Sequence, residues 1–133
     1  MTRFECLNPP GLYDPTPNGY SHVVSVASAA RMIFIAGQGG EDAAGTLAEG
    51  FAAQVKQAFA NLVTSLAAAD STISDVVKLT LLVVDHDEEK HRIVTAAIDE
   101  HWGRSSRPAC TLVPVPRLAL AGMLFEVEAV AAR

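Results

Sequence analysis

Two carboxylates at the C-terminal end of the chain have the spacing of an acid/base pair. Glu126 and Glu128 stand two residues apart in "MLFEVEAVAA", and in a strand that spacing puts both on one face. Leu124 and Val130 share that face, while Phe125, Val127 and Ala129 point the other way. A carboxylate set between apolar neighbours has its pKa raised and exchanges protons nearer neutrality; on a solvated face the same pair is ordinary surface charge. Cys110, in "RPACTLVPVPRL", lies in strand register with Pro108. It reads as a small buried hydrophobe, because a nucleophilic thiol needs a nearby base or cation and no local residue supplies one. Arg107 and Arg117 flank the prolines of this stretch, and each can pair with a carboxylate or an anionic ligand. The four histidines, His22, His86, His91 and His101, contain no i, i+4 pair, and Cys6 and Cys110 add no ligand cluster. No metal and no cofactor is therefore expected. The glycines of "GQGG" read as a turn, because the Lys and Ser/Thr of a phosphate loop are missing.

The elements that must hold these residues follow from periodicity. "NPPGLYDPTPNGY" is too rich in proline for a helix or a ladder and reads as an extended loop. A short strand over about Arg3–Cys6 precedes it. Two β-rich runs follow, about His22–Ala27 and Arg31–Ala36, and the small residues between them suggest a hairpin. Thr46 and Glu49 have capping-box spacing, which predicts a helix start there. Phe51, Val55, Phe59, Leu62 and Leu66 form its apolar stripe, with Gln54 and Asn61 off it, and the helix ends near Ala69. "SDVVKLTLLVVD" reads as a strand covered on both faces. Asp87 caps a second helix with Glu88 and Glu89 in its first turn. Val94, Ala97, Ile98, His101 and Trp102 line that helix, and Gly103 ends it. "PACTLVPV" and "MLFEVEAVAA" are the last strands, the former at an edge or ending near Val113 because prolines cannot donate to a ladder. The order β-β-β-α-β-α-β-β is an α+β architecture, a mixed sheet with two helices packed on one face.

Composition narrows the function. The chain has 133 residues, suited to one domain over residues 1–133, and half of them are apolar. Its net charge is −5, and its ten Lys and Arg are scattered singly. That excludes the basic stripe of a nucleic-acid binder and disfavours an anionic membrane surface. No apolar run spans a bilayer, no secretory pattern is present, and the cysteines form no framework, so the expectation is a soluble cytoplasmic protein.

Taken in order, the motifs resemble the Rid family (reactive intermediate deaminases, also called YjgF-like). "GYSHVVSV…MIFIAGQ" is similar to the family's "PYSxAV…xxFxSGQ". "QVKQAFANLVTSLAAADSTISDVVKLTLLVVD" is similar to "QTxQALxNLxxxLxAAGxxxxDVVKxTVFLxD". "RPACTLVPVPRL…FEVEAVA" is similar to "xPARSxVxVxxLPxGxxVEIEAIA". The match covers nearly the whole chain. It implies a homotrimer whose sheets form a central barrel, with small-molecule clefts between subunits. It also implies hydrolysis of enamines and imines such as 2-aminoacrylate to a keto acid and ammonia. By the same resemblance Glu126 is the catalytic carboxylate, and Tyr20, Ala36, Gly37 and Gln38 belong to the substrate cleft. Thr95 stands where the family has a cleft asparagine and Ile98 where it has a tyrosine. Cys110 stands where an arginine clamps the substrate carboxylate, with Arg107 facing away and Arg117 a candidate to reach the cleft. Losing a charge-assisted clamp weakens binding roughly ten- to a hundredfold, which counts against 2-aminoacrylate as substrate. The expectation is a Rid-like hydrolase of a less anionic imine or enamine. The alternative is a non-catalytic metabolite-binding, regulatory or chaperone-like homotrimer.

Overall fold

The structure, a computed structural model, describes residues 4–28, 31–104 and 106–133. Six strands and two helices follow the expected order: β1 (Phe4–Leu7), β2 (Val23–Val26), β3 (Met32–Gln38), α1 (Phe51–Ala68), β4 (Val76–Val84), α2 (Glu88–Trp102), β5 (Ala109–Val115) and β6 (Phe125–Ala132). The order β3-β6-β4-β5 makes one mixed sheet, in which only β4 and β5 run parallel. That parallel pair needs a long crossover, and α2 supplies it. The fold is α+β, with two helices packed on a mixed sheet.

Alternation decides which face is buried. Val77 and Ala132 aside, the buried positions of β4 and β6 alternate with more exposed ones, so Leu79, Leu81 and Val83 meet Phe125, Val127 and Ala129 under the helices. Phe59, Leu62 and Leu66 of α1 and Val94 and Ile98 of α2 close this core from above. The opposite face of the sheet is open in the single chain. Lys78, Thr80, Leu82, Glu126, Glu128 and Val130 lie on it, and Phe34 of β3 is 75 % exposed. The two-sided cover expected for β4 is thus complete on one side only.

Three sequence expectations shift. β2 ladders with β1, and β3 ladders with β6, in place of the β2–β3 hairpin; the small residues 29 and 30 that suggested it, and Arg3 of the first strand, lie outside the described residues. α1 starts at Phe51 behind Gly50, without a side-chain cap. Thr46 is instead drawn into a turn by Asp42, whose carboxylate accepts from the backbone N–H groups of Ala44 and Thr46, so the Thr46–Glu49 box never forms. Gly50 has φ +87°, a conformation that glycine adopts without the Cβ penalty. Gln54 is buried in place of lying off the stripe.

The second helix is capped as its sequence indicates. The Asp87 carboxylate accepts from Lys90 N at 2.8 Å. β5 is the edge strand and runs on through Pro114 to Val115, which an edge permits.

Candidate functional site

A cavity of about 570 Å3 opens between α2, the edge strand β5 and the N-terminal loop. Its floor is apolar: Leu81, Val94, Ile98 and Leu112. Its polar wall carries Tyr20, Lys78, Thr95, Cys110 and Thr111. Three residues picked from the sequence, Tyr20, Thr95 and Cys110, therefore meet in one place although they come from a loop, a helix and a strand.

The N-terminal loop is held against the edge strand by Arg107. Its guanidinium pairs with Asp99 of α2, Nε donates to the Gly103 carbonyl at 2.7 Å, and an Nη donates to the Thr16 carbonyl at 2.6 Å. Its own carbonyl accepts from Ser21 Oγ at 2.6 Å and from Cys6 Sγ at 3.4 Å. Arg107 is 2 % exposed. It is thus a fastener for the loop, facing away from Cys110 as its odd offset implied.

The loop presents aromatic groups at the cavity mouth. The hydroxyls of Tyr13 and Tyr20 are hydrogen-bonded. The His22 ring meets both tyrosines edge to face, with centroids 5.2 and 5.3 Å apart, and donates from Nε2 to the Tyr13 carbonyl at 2.8 Å. Burial, then the bond to Tyr13, pushes the Tyr20 phenol up to about 12. Burial also pushes the Cys110 thiol up to about 12, against a smaller downward pull from the Lys78 ammonium. Cys110 is therefore a neutral thiol at physiological pH and no nucleophile. Tyr13, His22, Lys78, His91 and Thr111 of this cavity were not singled out from the sequence; Lys78 had a signal, as the one charge within the apolar β4 run.

Glu126 lies elsewhere. It sits on the open sheet face, outside the cavity. β3 is bulged between Ile35 and Gln38, three residues passing where β6 spends two, and the bulge brings Gly37 onto the Glu126 side chain. A Cβ at Gly37 would fall 2.6 Å from Glu126 Cδ, so any larger residue there would push the Glu126 side chain out of this position. Gln38 Nε2 closes the turn on the Ala36 carbonyl at 3.0 Å. The α1 amides support the arrangement. Asn61 donates to the carbonyls of Gly39 and Glu41, while Gln54 accepts from Leu124 N at 2.8 Å. Burial, with Glu41 and Glu128 nearby, raises the Glu126 carboxyl above its ordinary value. Ala36, Gly37, Gln38 and Glu126 thus form a second cluster. Arg117 lies on the β5–β6 connection, with Nε donating to the Leu118 carbonyl at 3.1 Å, and joins neither group.

Among the described residues no group of three or more His, Cys, Asp or Glu is placed to hold a metal. No helix among them is long and apolar enough to cross a membrane.

Comparison with known proteins matches this arrangement to relatives. Residues 14–133 match the family model described as endoribonuclease L-PSP. The RutC family protein YjgH of Escherichia coli is 34 % identical over 100 residues, 75 % of this chain and 74 % of its own length. The crystal structure of the Rid-family protein YyfB from Yersinia pestis superposes with a TM-score of 0.93 at 34 % identity, covering 99 % of this chain and all of the other. RidA from a Psychrobacter species gives a TM-score of 0.71 at 29 % identity over 86 % of this chain and 88 % of its own. With its motifs in order along almost the full length, the chain belongs to the endoribonuclease L-PSP family, the YjgF/Rid proteins.

Proposed function

We propose that the 133-residue chain acts as one domain of a homotrimer that hydrolyses a small imine or enamine in a cleft between subunits. The observation that carries this reading is the division of the site. Among the described residues, one chain holds a substrate-sized cavity without a carboxylate on its wall, and a carboxyl raised above its ordinary value on the open sheet face outside that cavity. Closing the open faces of three sheets into a barrel would cover Phe34 and set one copy's Glu126 cluster beside the next copy's cavity. The resemblance to the Rid family implies the same assembly and chemistry, and the likeness in fold to RidA supports that resemblance. Both cysteines are unpaired thiols, which suits a reducing compartment such as the cytoplasm.

The reaction follows from the residues. Protonation of an enamine on carbon, or of an imine on nitrogen, by solvent gives the iminium ion. Water then adds to the iminium carbon; a C–O bond forms, and a water proton passes to the Glu126 carboxylate, leaving a neutral carbinolamine. Glu126 gives that proton to the nitrogen, then takes the hydroxyl proton as the C–N bond breaks and the carbonyl forms; ammonia carries this proton away as ammonium, and the carboxylate is restored. A carboxyl lifted above its ordinary value is suited to both halves of this exchange. The backbone at Ala36–Gln38, free of a side chain at Gly37, lets substrate approach the carboxylate.

The test is ammonia release from imines generated by an amino-acid oxidase. Wild type should accelerate release, Glu126→Gln should lose at least about a hundredfold, and Cys110→Arg should gain on carboxylated imines. Activity unchanged in Glu126→Gln removes its assigned role. Metabolite binding without turnover in any variant favours a non-catalytic binding protein, which the thiol in the arginine's place would also suit.

A further inference from the structure

Beyond the last rung of the β3–β6 ladder, a side chain of α1 takes over the joining of the two segments. That ladder ends at Gln38 opposite Val127, and Glu126 and Phe125 pair with β4, at Leu82 and Val83. The turn after β3 and the entry to β6 meet instead on Gln54. This residue is 2 % exposed, and both of its N–H donors and its oxygen are used. Nε2 donates to the carbonyls of Ala48 at 3.1 Å and Gly122 at 3.0 Å, while Oε1 accepts from Leu124 N at 2.8 Å. Ala48 N in turn donates to the Gly40 carbonyl at 3.0 Å. Gly40 also lies directly on the side chain: a Cβ there would fall 2.6 Å from Gln54 Cα and 2.7 Å from its Cβ and Cγ. One amide thus touches the chain just after Gly37 and just before Glu126. Burying an amide costs free energy unless its hydrogen bonds are made, and here all three go to the segments that bracket the carboxyl.

We propose that Gln54 is a positioning residue for Glu126: it fixes the entry of β6 against the turn after β3, so that the carboxyl stays over Gly37. What the carboxyl does in that place rests on the proposed function; its being held there by Gln54 does not. Without the amide, Leu124 keeps only the bond from Val84 N to its carbonyl, and the start of β6 is free to shift along β4. Glu41 after the turn and Glu128 on β6 are the charged neighbours of Glu126, and β4 sets Leu82 opposite it. A carboxyl that swings off Gly37 regains water, and burial is the first cause that raises it. A displacement on the order of 1 Å at a reacting group can cost about a hundredfold in rate.

Two measurements made together test this: the pH titration of Glu126 by carbon-13 NMR, its signal assigned by loss in Glu126→Gln, and ammonia release from oxidase-generated imines. Gln54→Met keeps the length of the side chain and loses all three bonds. In it the Glu126 midpoint should fall toward the ordinary carboxylate range, and kcat should drop roughly ten- to a hundredfold with KM little changed. Gln54→Asn, an amide one methylene short, should move both in the same direction by less, and serves if the methionine variant does not fold. Arg107→Met, which loosens the fold at the cavity mouth, should leave the Glu126 midpoint in place; that separates positioning from a general loss of stability. A midpoint unmoved in a folded Gln54 variant overturns the positioning role, as does one that Arg107→Met moves equally. A Gln54-dependent midpoint without ammonia release from wild type leaves the positioning standing and removes the hydrolase; ammonia release with an unmoved midpoint does the reverse.

Discussion

Arg107→Met tests whether one buried fastener holds the cavity mouth. Methionine keeps most of the length of the side chain and removes all of its donors. The Gly103 carbonyl loses its bond from Nε and Asp99 loses its ion-pair partner, whereas the Thr16 carbonyl keeps a bond from Gly19 N at 3.1 Å. Breaking a buried charged pair costs about 3–5 kcal/mol. Asp99 is 35 % exposed and can recover water, so the lower end, about 3 kcal/mol, applies. Unfolding entropy near 2.1 cal/mol/K per residue gives about 0.28 kcal/mol/K for 133 residues, so the melting temperature should fall by about 10 °C. The loss should also be local first. Amide exchange at Gly19 and Ser21, whose N–H groups bond to Thr16 and Pro108, should accelerate before the core of β4 and β6 does. Urea and thermal unfolding measure the first effect, and residue-resolved exchange the second. A loss below about 1 kcal/mol, or exchange unchanged at Gly19 and Ser21, would refute the fastening role.

Two further outcomes follow from the titratable groups. With Cys6 replaced by Ser, alkylation of Cys110 at pH 8 should run at least about a hundredfold slower than that of a free thiol, because a group held at about 12 has almost no thiolate there; ordinary labelling rates would revive Cys110 as a reactive residue. Burial foremost, then Glu41 and Glu128, lifts Glu126 above its unfolded value, so the fold binds this proton more tightly. Stability from it is full below the unfolded value and is lost as pH rises through the folded one. Glu126→Gln should therefore be more stable than wild type at pH 8, with the difference gone near pH 4, in parallel thermal melts; equal curves across that range would contradict the raised carboxyl.

Much of the fold is written locally. The alternation of β6, the Asp87 cap and the apolar stripe of α1 needed only side-chain direction and period, and the structure keeps them. The misread features have non-local or competing partners. Thr46 and Glu49 had the spacing of a cap, but Asp42 captured the turn first. β2 and β3 are neighbours in sequence, yet their ladder partners are β1 and β6, the latter about a hundred residues away.

The candidate site divides along the same line. Strand register alone marked Glu126 with Glu128, because side-chain direction is a property of the chain itself, whereas Gly37, Tyr20, Thr95 and the cleft position of Cys110 were marked by the resemblance to the Rid motifs. Only the tertiary structure decided which of them meet. Packing of α2 over β5 brought Tyr20, Thr95 and Cys110 to one cavity, and a bulge in β3 put Gly37 on Glu126 at another place. It also consumed Arg107 in a loop fastening and turned Lys78 to the cavity wall. Burial, which removes water from some charges and leaves others exposed, arises only when distant segments close over one another, and no local stretch of sequence specifies it.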